Sequence, residues 1–135
     1  MNFSKGYIRS SPYVGIFATA TDEFALLPTI ASESEIKEAQ RTLEVPIVKA
    51  LLGNSPLLGI LSKGSGRKIV VSGLSEDSEI RVLEKAGLEV LRVDSKGMTA
   101  VGNLLCFNKN GGFASPLLED ELIGEIGSFL KIRRR

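Results

Sequence analysis

The 135-residue chain has no histidine and no tryptophan, and its only cysteine is Cys106. Without histidine, the chain lacks the side chain most used for general acid–base catalysis, for activating nucleophiles and for binding metals. A single cysteine excludes an internal disulfide and paired-cysteine zinc sites, and it is typical of a reducing cytoplasm. We therefore expect a non-enzymatic protein with no cofactor and no metal. An enzyme acting through carboxylates or Cys106 is the alternative, although the apolar strand around Cys106 predicts a small, buried side chain.

The chain also has little net charge and lacks long apolar runs. Its formal net charge is only +1. Proteins that bind nucleic acid mainly by electrostatic attraction have a much larger positive charge. No apolar run approaches the roughly 18 residues that a membrane helix needs, and the N-terminal residues lack the apolar core of a signal peptide. We expect a single cytoplasmic domain over residues 1–135 that makes no contact with a membrane.

Three glycines mark an internal repeat. Gly15, Gly59 and Gly102 are spaced by 44 and 43 residues, and an apolar residue precedes each one. Each glycine is followed after 13 or 14 residues by a proline or glycine that ends a short apolar run, and after 21 residues by an isoleucine. These later landmarks are Pro28, Gly73 and Pro116, and Ile36, Ile80 and Ile123. The shared spacing predicts one structural unit present three times.

Each unit has the pattern of a hairpin, a helix and a returning strand. The first strands are predicted at Ile16–Ala20, Ile60–Ser62 and Asn103–Phe107, and the second strands at Phe24–Leu27, Ile69–Ser72 and Phe113–Ser115. Apolar residues at helical spacing follow, and the returning strands are predicted at Pro46–Leu51 and Leu88–Val93. Ser32 with Glu35 predicts a capping box, and Gly87 a helix C-terminus. The expected fold is therefore α/β, with ββαβ units of about 8–52, 53–98 and 99–135, the last without its final strand.

Three stretches of the sequence resemble translation initiation factor 6 of archaea and eukaryotes. They are "YVGIFATATDEFALLP" (13–28), "LLGNSPLLGILS" (51–62) and "TAVGNLLCFNKNGGFASPLLEDE" (99–121), and the resemblance extends from about residue 7 to residue 131. It implies a pentein fold of five such units around a pseudo-fivefold axis. It further implies a non-enzymatic protein that binds the large ribosomal subunit, prevents joining of the small subunit and acts in large-subunit biogenesis.

The length departs from that family pattern. Five units of this size need about 220 residues, whereas this chain has 135. Three units form an incomplete ring with two open sheet edges, which favour pairing with other chains. Residues Tyr7–Arg9 resemble the entry strand that would meet the last, absent unit. The alternative function is therefore a self-associating pentein fragment, joined through its open edges and without ribosomal activity.

The resemblance places the "GN" element, Gly102 and Asn103, on the ribosome-facing rim. Asn103 replaces the apolar Ile16 and Ile60 of the other units, so we expect it to contact the ribosome. The alternative role for Asn103 is a turn amide bonded to local backbone. Asn54 is a weaker candidate for ribosome contact than Asn103, and a role as a turn residue is favoured for it.

The repeat glycines Gly15, Gly59 and Gly102 are candidate rim residues as well. Their alternative role, favoured for Gly15 and Gly59, is a backbone requirement for close approach without any ligand.

The glycine-rich stretch 62–68 predicts a hairpin tip and lacks the spacing of a phosphate-binding loop. Its Lys63, Arg67 and Lys68 are candidates for contacts with ribosomal RNA phosphates. The basic segment "KIRRR" (131–135) offers further positive charge for RNA or for solubility.

Overall fold

The computed structural model describes residues 1–132 and contains small sheets and helices in a repeating order. The first unit comprises α1 (Val14–Phe17), β1 (Thr19–Ala20), β2 (Ala25–Pro28), α2 (Glu33–Leu43) and β3 (Ile47–Ala50). The second comprises α3 (Leu58–Leu61), β4 (Ser62–Ser65), β5 (Lys68–Ser72), α4 (Asp77–Lys85) and β6 (Glu89–Val93). A 3₁₀ turn (Val101–Asn103), β7 (Leu105–Asn108), β8 (Gly111–Ala114) and α5 (Asp120–Leu130) follow. The α/β prediction is confirmed.

The first two sheets have the same topology. β1 pairs antiparallel with β2, and β2 pairs parallel with β3 after the chain crosses through α2. β4, β5 and β6 repeat this arrangement, whereas β7 and β8 form a two-stranded antiparallel sheet. The short hairpin connections and the helical crossover between parallel strands follow from ordinary strand geometry.

The prediction for the residues directly after each repeat glycine was wrong. Residues 16–17, 60–61 and 103 were predicted as the start of a strand, but they lie in α1, α3 and the 3₁₀ turn. The strands begin two or three residues later than predicted, at Thr19, Ser62 and Leu105. A short apolar run does not distinguish a strand from a helical turn, and here the helical turn lets the backbones of successive units approach each other closely.

The helix boundaries predicted from capping residues are confirmed. Glu35 N–H donates to Ser32 Oγ at 3.2 Å and Ser32 N–H donates to Glu35 Oε1 at 2.9 Å, so the capping box starts α2. Gly87 has φ +89° immediately after the C-cap of α4, a conformation that favours glycine. Along α5, Leu122 and Ile126 are buried in a cluster with Val70 and Val93.

The hydrophobic core consists of clusters that join neighbouring units. Leu26 of β2 is fully buried in a cluster with Leu58, Ile69 and other apolar residues of the second unit. Val70 of β5 is likewise fully buried in a cluster with Leu105 and other apolar residues of the third. Each unit therefore covers the sheet face of the unit before it, which holds successive units together through apolar burial.

Cys106 is exposed, so the prediction of a buried side chain was wrong. The alternation along β7 is as expected, but it places Leu105 on the buried face and turns Cys106 to the opposite face, where it pairs with the exposed Phe113. The cysteine lies on a sheet face that no further element among residues 1–132 covers.

Candidate docking surface

The three repeat glycines lie at successive positions of one backbone stack. A Cβ atom on Gly59 would overlap the carbonyl oxygen of Gly15 and lie 2.9 Å from that of Ala18. A Cβ atom on Gly102 would overlap the carbonyl oxygen of Gly59 and lie 2.6 Å from that of Ser62. Around Gly15, by contrast, a Cβ atom would meet nothing within 4 Å. Glycine is required at Gly59 and Gly102 because backbone passes directly over them.

The strand directions divide the candidate residues into two groups. β2 and β3 run towards the turn at Gly53–Asn54, whereas β1 runs from α1 towards the tip of its hairpin. In the second sheet, likewise, β4 runs antiparallel to β5 and β6. The hairpin tips therefore lie at one end of the sheets, and the turns that follow the parallel strands lie at the other. We call the end with the helical turns and the turn Gly53–Asn54 the rim end, and the other the tip end. A four-residue strand separates the two ends by about 13 Å.

The rim end carries three turns that contain residues with positive φ. Each turn has two consecutive residues with positive φ, at 50° and 63°, at 58° and 58°, and at 49° and 89°. These pairs are Arg9–Ser10, Gly53–Asn54 and Lys96–Gly97. At Arg9–Ser10 and at Gly53–Asn54, both consecutive N–H groups donate to one carboxylate.

A glutamate from the following helix binds two of these turns. Glu35 accepts hydrogen bonds from Arg9 N–H at 2.8 Å and Ser10 N–H at 3.1 Å. Glu79 accepts from Gly53 N–H at 2.7 Å and Asn54 N–H at 2.9 Å. Each glutamate also caps its own helix, so it fixes the turn to the helix. The corresponding position in the third unit is Leu122.

The pKa of Glu35 is held below its ordinary value. Partial burial opposes ionisation, but hydrogen bonds from the backbone N–H groups of Ser32, Arg9 and Ser10 outweigh it. Because the pKa is lower in the folded chain, the ionised Glu35 stabilises the fold above the pKa of an unfolded glutamate. This stabilisation is lost as the pH falls through the folded pKa.

Glu35→Gln is therefore expected to lower the free energy of unfolding at neutral pH by about 1 kcal/mol, because its amide group cannot accept from all three donors. The difference from the unsubstituted chain should shrink as the pH is lowered, since Glu35 then becomes protonated. Urea unfolding at several pH values measures this. Glu33→Gln, an exposed change in the same first helical turn, is the control. A destabilisation that does not vary with pH would contradict the role of the charge.

Asn103 is exposed at the end of the 3₁₀ turn, beside the stacked glycines. Its backbone N–H donates to Ala100 at 2.9 Å, while its side-chain amide has no hydrogen-bond partner among residues 1–132. Asn54 is exposed too, but its role in the structure is that of a turn residue with φ 58° and its N–H on Glu79.

The three basic candidates do not lie together. Lys63 is the second residue of β4 and pairs with Val70, the middle residue of β5. Arg67 is at the tip end, where its guanidinium donates to the carbonyl oxygens of Gly87 and Ala86 at 3.1 Å each, at the C-terminus of α4. Lys68 Nζ donates to Phe129 O at 2.6 Å near the C-terminus of α5 and lies 5.4 Å from the centre of the Phe129 ring.

Arg67 and Lys68 therefore serve the fold, since cations at helix C-termini bind free carbonyl groups. They line a groove of about 800 Å³ at the tip end together with acidic and basic side chains from all three units. The charged residues in this groove are Asp22, Glu23, Glu89, Arg67, Lys68 and Lys109, which balance in sign. The acidic side chains along this groove therefore offset the charge of the basic ones.

Sequence reasoning missed Glu35 and Glu79 as partners of the rim turns and Phe113 as an exposed side chain. The spacing of 20 residues from Gly15 to Glu35 and from Gly59 to Glu79 was a usable signal for the two glutamates. Of the basic segment 131–135, residues 133–135 lie outside the described residues.

Neither a metal-binding cluster nor a membrane-spanning helix occurs among residues 1–132. No group of three or more histidine, cysteine, aspartate or glutamate side chains in this part of the chain could hold a metal ion. No helix in the same range is both long enough and apolar enough to span a membrane.

The fold and the rim end define an α/β protein of small sheets and helices, with exposed turns and a stack of backbone glycines at one end of its sheets. The chain matches the eIF-6 family over residues 3–134. It therefore belongs to the eIF-6 family.

Several curated relatives are named translation initiation factor 6. The chain is 37% identical over 125 residues to that of Methanothermobacter thermautotrophicus, covering 93% of this chain and 56% of the relative. It is 34% identical over 124 residues to that of Methanocella arvoryzae, covering 92% and 55%. For Pyrococcus furiosus the identity is 31% over 138 residues, covering 98% and 60%. The chain thus spans little more than half the length of these relatives.

Proposed function

We propose that this chain binds the large ribosomal subunit and sterically prevents the small subunit from joining it, with a role in large-subunit biogenesis. The observation that carries the proposal is the match to the eIF-6 family over residues 3–134, together with relatives named translation initiation factor 6. The function is one of binding without catalysis, and it takes place in the cytoplasm, where the subunits meet.

The proposed contact surface is the rim end. Asn103 offers an exposed amide with no partner among the described residues, so binding would not cost the fold a hydrogen bond. Lys63, in the half of β4 nearer the rim end, is the basic candidate and suits a nearby rRNA phosphate. The partner is a ribosomal protein with adjacent rRNA, and neither a cofactor nor a metal takes part.

The proposed architecture is a pentein-like arc of three units within one domain, residues 1–135. The units are about 8–52, 53–98 and 99–135, and the third lacks its last strand. The recurring element order and the stacked glycines support this arrangement. An arc of this kind presents one continuous rim, which suits docking on a large flat partner.

Co-sedimentation with purified archaeal large subunits tests the proposal. The chain is expected to sediment with the subunits at low salt, and Asn103→Ala is expected to weaken binding by about 5- to 30-fold, as for a central interface residue. Asn110→Ala is the matched control, because Asn110 is an exposed asparagine at the tip end of the same unit. Absence of co-sedimentation, or equal loss in both variants, would contradict the proposal.

A further inference from the structure

The tip of the third hairpin carries an asparagine followed by a glycine. β7 ends at Asn108 and β8 begins at Gly111, so Lys109 and Asn110 form the loop between them. Asn110 is the only asparagine of the chain that glycine directly follows. Because glycine has no Cβ atom, the backbone nitrogen of Gly111 is open to approach by a neighbouring side chain. The pair therefore places an amide carbon next to an unshielded backbone nitrogen.

The side chain of Asn110 is exposed, and it has no hydrogen-bond partner among residues 1–132. The hairpin registers place Asn110 at the position that Arg67 holds in the second hairpin. Arg67 donates to the carbonyl oxygens of Gly87 and Ala86 at the C-terminus of its own following helix. The shorter side chain of Asn110 makes no such bond to α5, so its amide group is free to turn towards the backbone that follows it.

The backbone nitrogen of Gly111 lies at the end of a strand ladder. Asn108 and Gly111 form the pair of β7 and β8 that is next to the loop. Gly111 N–H also donates to Asn108 Oδ1, but the distance of 3.3 Å is longer than in most N–H···O hydrogen bonds. Pairs at the end of a ladder open more readily than pairs in its middle. The nitrogen of Gly111 can therefore be released without unfolding of the hairpin.

We propose that Asn110 is a site of spontaneous covalent modification by deamidation. The Gly111 nitrogen loses its proton and attacks Cγ of Asn110. The new N–Cγ bond closes a cyclic imide, the Cγ–Nδ2 bond breaks, and the amide nitrogen leaves as ammonia with the proton that Gly111 lost. One water molecule then opens the imide at either of its two carbonyl groups and gives aspartate or isoaspartate. The reaction consumes one water, releases one ammonia and needs neither an oxidant nor a reductant.

The modification changes the charge of the groove at the tip end. Asn110 lines this groove together with acidic and basic side chains that balance in sign. Aspartate or isoaspartate at residue 110 is ionised at neutral pH, so the product gives the groove an excess of negative charge. Isoaspartate also lengthens the main chain by one carbon atom in the loop between β7 and β8. This inference does not depend on the proposed function.

Peptide mapping by mass spectrometry, after the folded chain has been kept at mildly alkaline pH, tests the inference. We expect the peptide that contains Asn110 to gain about 1 Da. The gain should be faster at higher pH, because the attacking nitrogen must first lose its proton. Asn54 and Asn103 are exposed as well but precede serine and leucine, so they are internal controls. They should convert at least about tenfold more slowly than Asn110.

Gly111→Ala tests the role of the open nitrogen. A Cβ atom on Gly111 would meet nothing within 4 Å, and the φ of Gly111 lies outside the left-handed region, so this variant should fold. Its methyl group shields the nitrogen and should slow the conversion of Asn110 at least about tenfold. Gly124→Ala, at another glycine with open space around it, is the matched control and should leave the rate unchanged.

Two results would overturn the inference. One is an Asn110 that stays unchanged in the folded chain over the time in which it converts in urea, since the fold would then protect it. The other is conversion of Asn110 at the same rate in Gly111→Ala as in the unsubstituted chain.

Discussion

Gly59→Ala is expected to abolish stable folding, while Gly15→Ala leaves the free energy of unfolding unchanged or raises it slightly. A methyl group on Gly59 would overlap the carbonyl oxygen of Gly15 and lie 2.9 Å from that of Ala18, and backbone atoms cannot move aside as a flexible side chain can. Because the backbones of two units would have to separate, the cost should exceed about 4 kcal/mol. At Gly15 the methyl group meets open space, and alanine is favoured over glycine in a helical turn by up to about 1 kcal/mol.

Urea unfolding followed by circular dichroism measures both glycine variants against the unsubstituted chain. Gly102→Ala should behave like Gly59→Ala, since its methyl group would crowd the carbonyl oxygens of Gly59, Ser62 and Ile60. Equal stability of Gly15→Ala and Gly59→Ala would show that the units do not stack as described.

Val70→Asp is expected to unfold the chain, whereas Phe113→Asp changes the free energy of unfolding by no more than about 0.5 kcal/mol. Both residues hold the same position in their hairpins, but Val70 is 0% exposed and Phe113 is 82% exposed. A carboxylate at Val70 would lie in the apolar cluster around Leu105 and Leu122 without a partner. An unpaired buried charge costs several kcal/mol, which is comparable to the whole stability of a small domain.

Thermal unfolding separates these two variants, and Leu26→Asp offers a repeat of the Val70 change in the first unit. Phe113→Asp is also expected to increase solubility, because it removes a large exposed apolar side chain. Marked destabilisation by Phe113→Asp in the isolated chain would mean that part of this chain covers the third hairpin.

The element types were predictable where two local signals agreed. The capping box of Ser32 and Glu35 and the glycine after α4 fixed the helix ends, since these depend on interactions a few residues apart. The helical turns after the repeat glycines were not predictable from local sequence. Their conformation is set by stacking against the next unit, and a run such as Ile16–Ala20 has no local feature that excludes a strand.

The candidate contact residues were harder to predict, because side-chain partners far along the chain decide their roles. Arg67 and Lys68 are basic residues in a glycine-rich hairpin, as in a phosphate-binding tip. In the structure their side chains donate hydrogen bonds to carbonyl oxygens at the C-termini of helices 19 to 61 residues away. Cys106 was misjudged for a related reason. The alternation of side chains along a strand predicts which residues share a face. Whether that face is buried depends on whether another unit covers it, which the strand's own sequence does not show.

The central claim is that the second and third units cover the sheet face of the unit before them, whereas the sheet face of the third unit is uncovered. Thiol labelling at three equivalent positions, one in each hairpin, tests this most directly. The variants Leu26→Cys, Val70→Cys and Phe113→Cys are made singly with Cys106→Ser, which removes the exposed native thiol. The arrangement predicts rapid labelling at residue 113 and protection at residues 26 and 70 until the chain unfolds. Rapid labelling at residue 70 in the folded chain, or protection at residue 113 in the monomer, would contradict it.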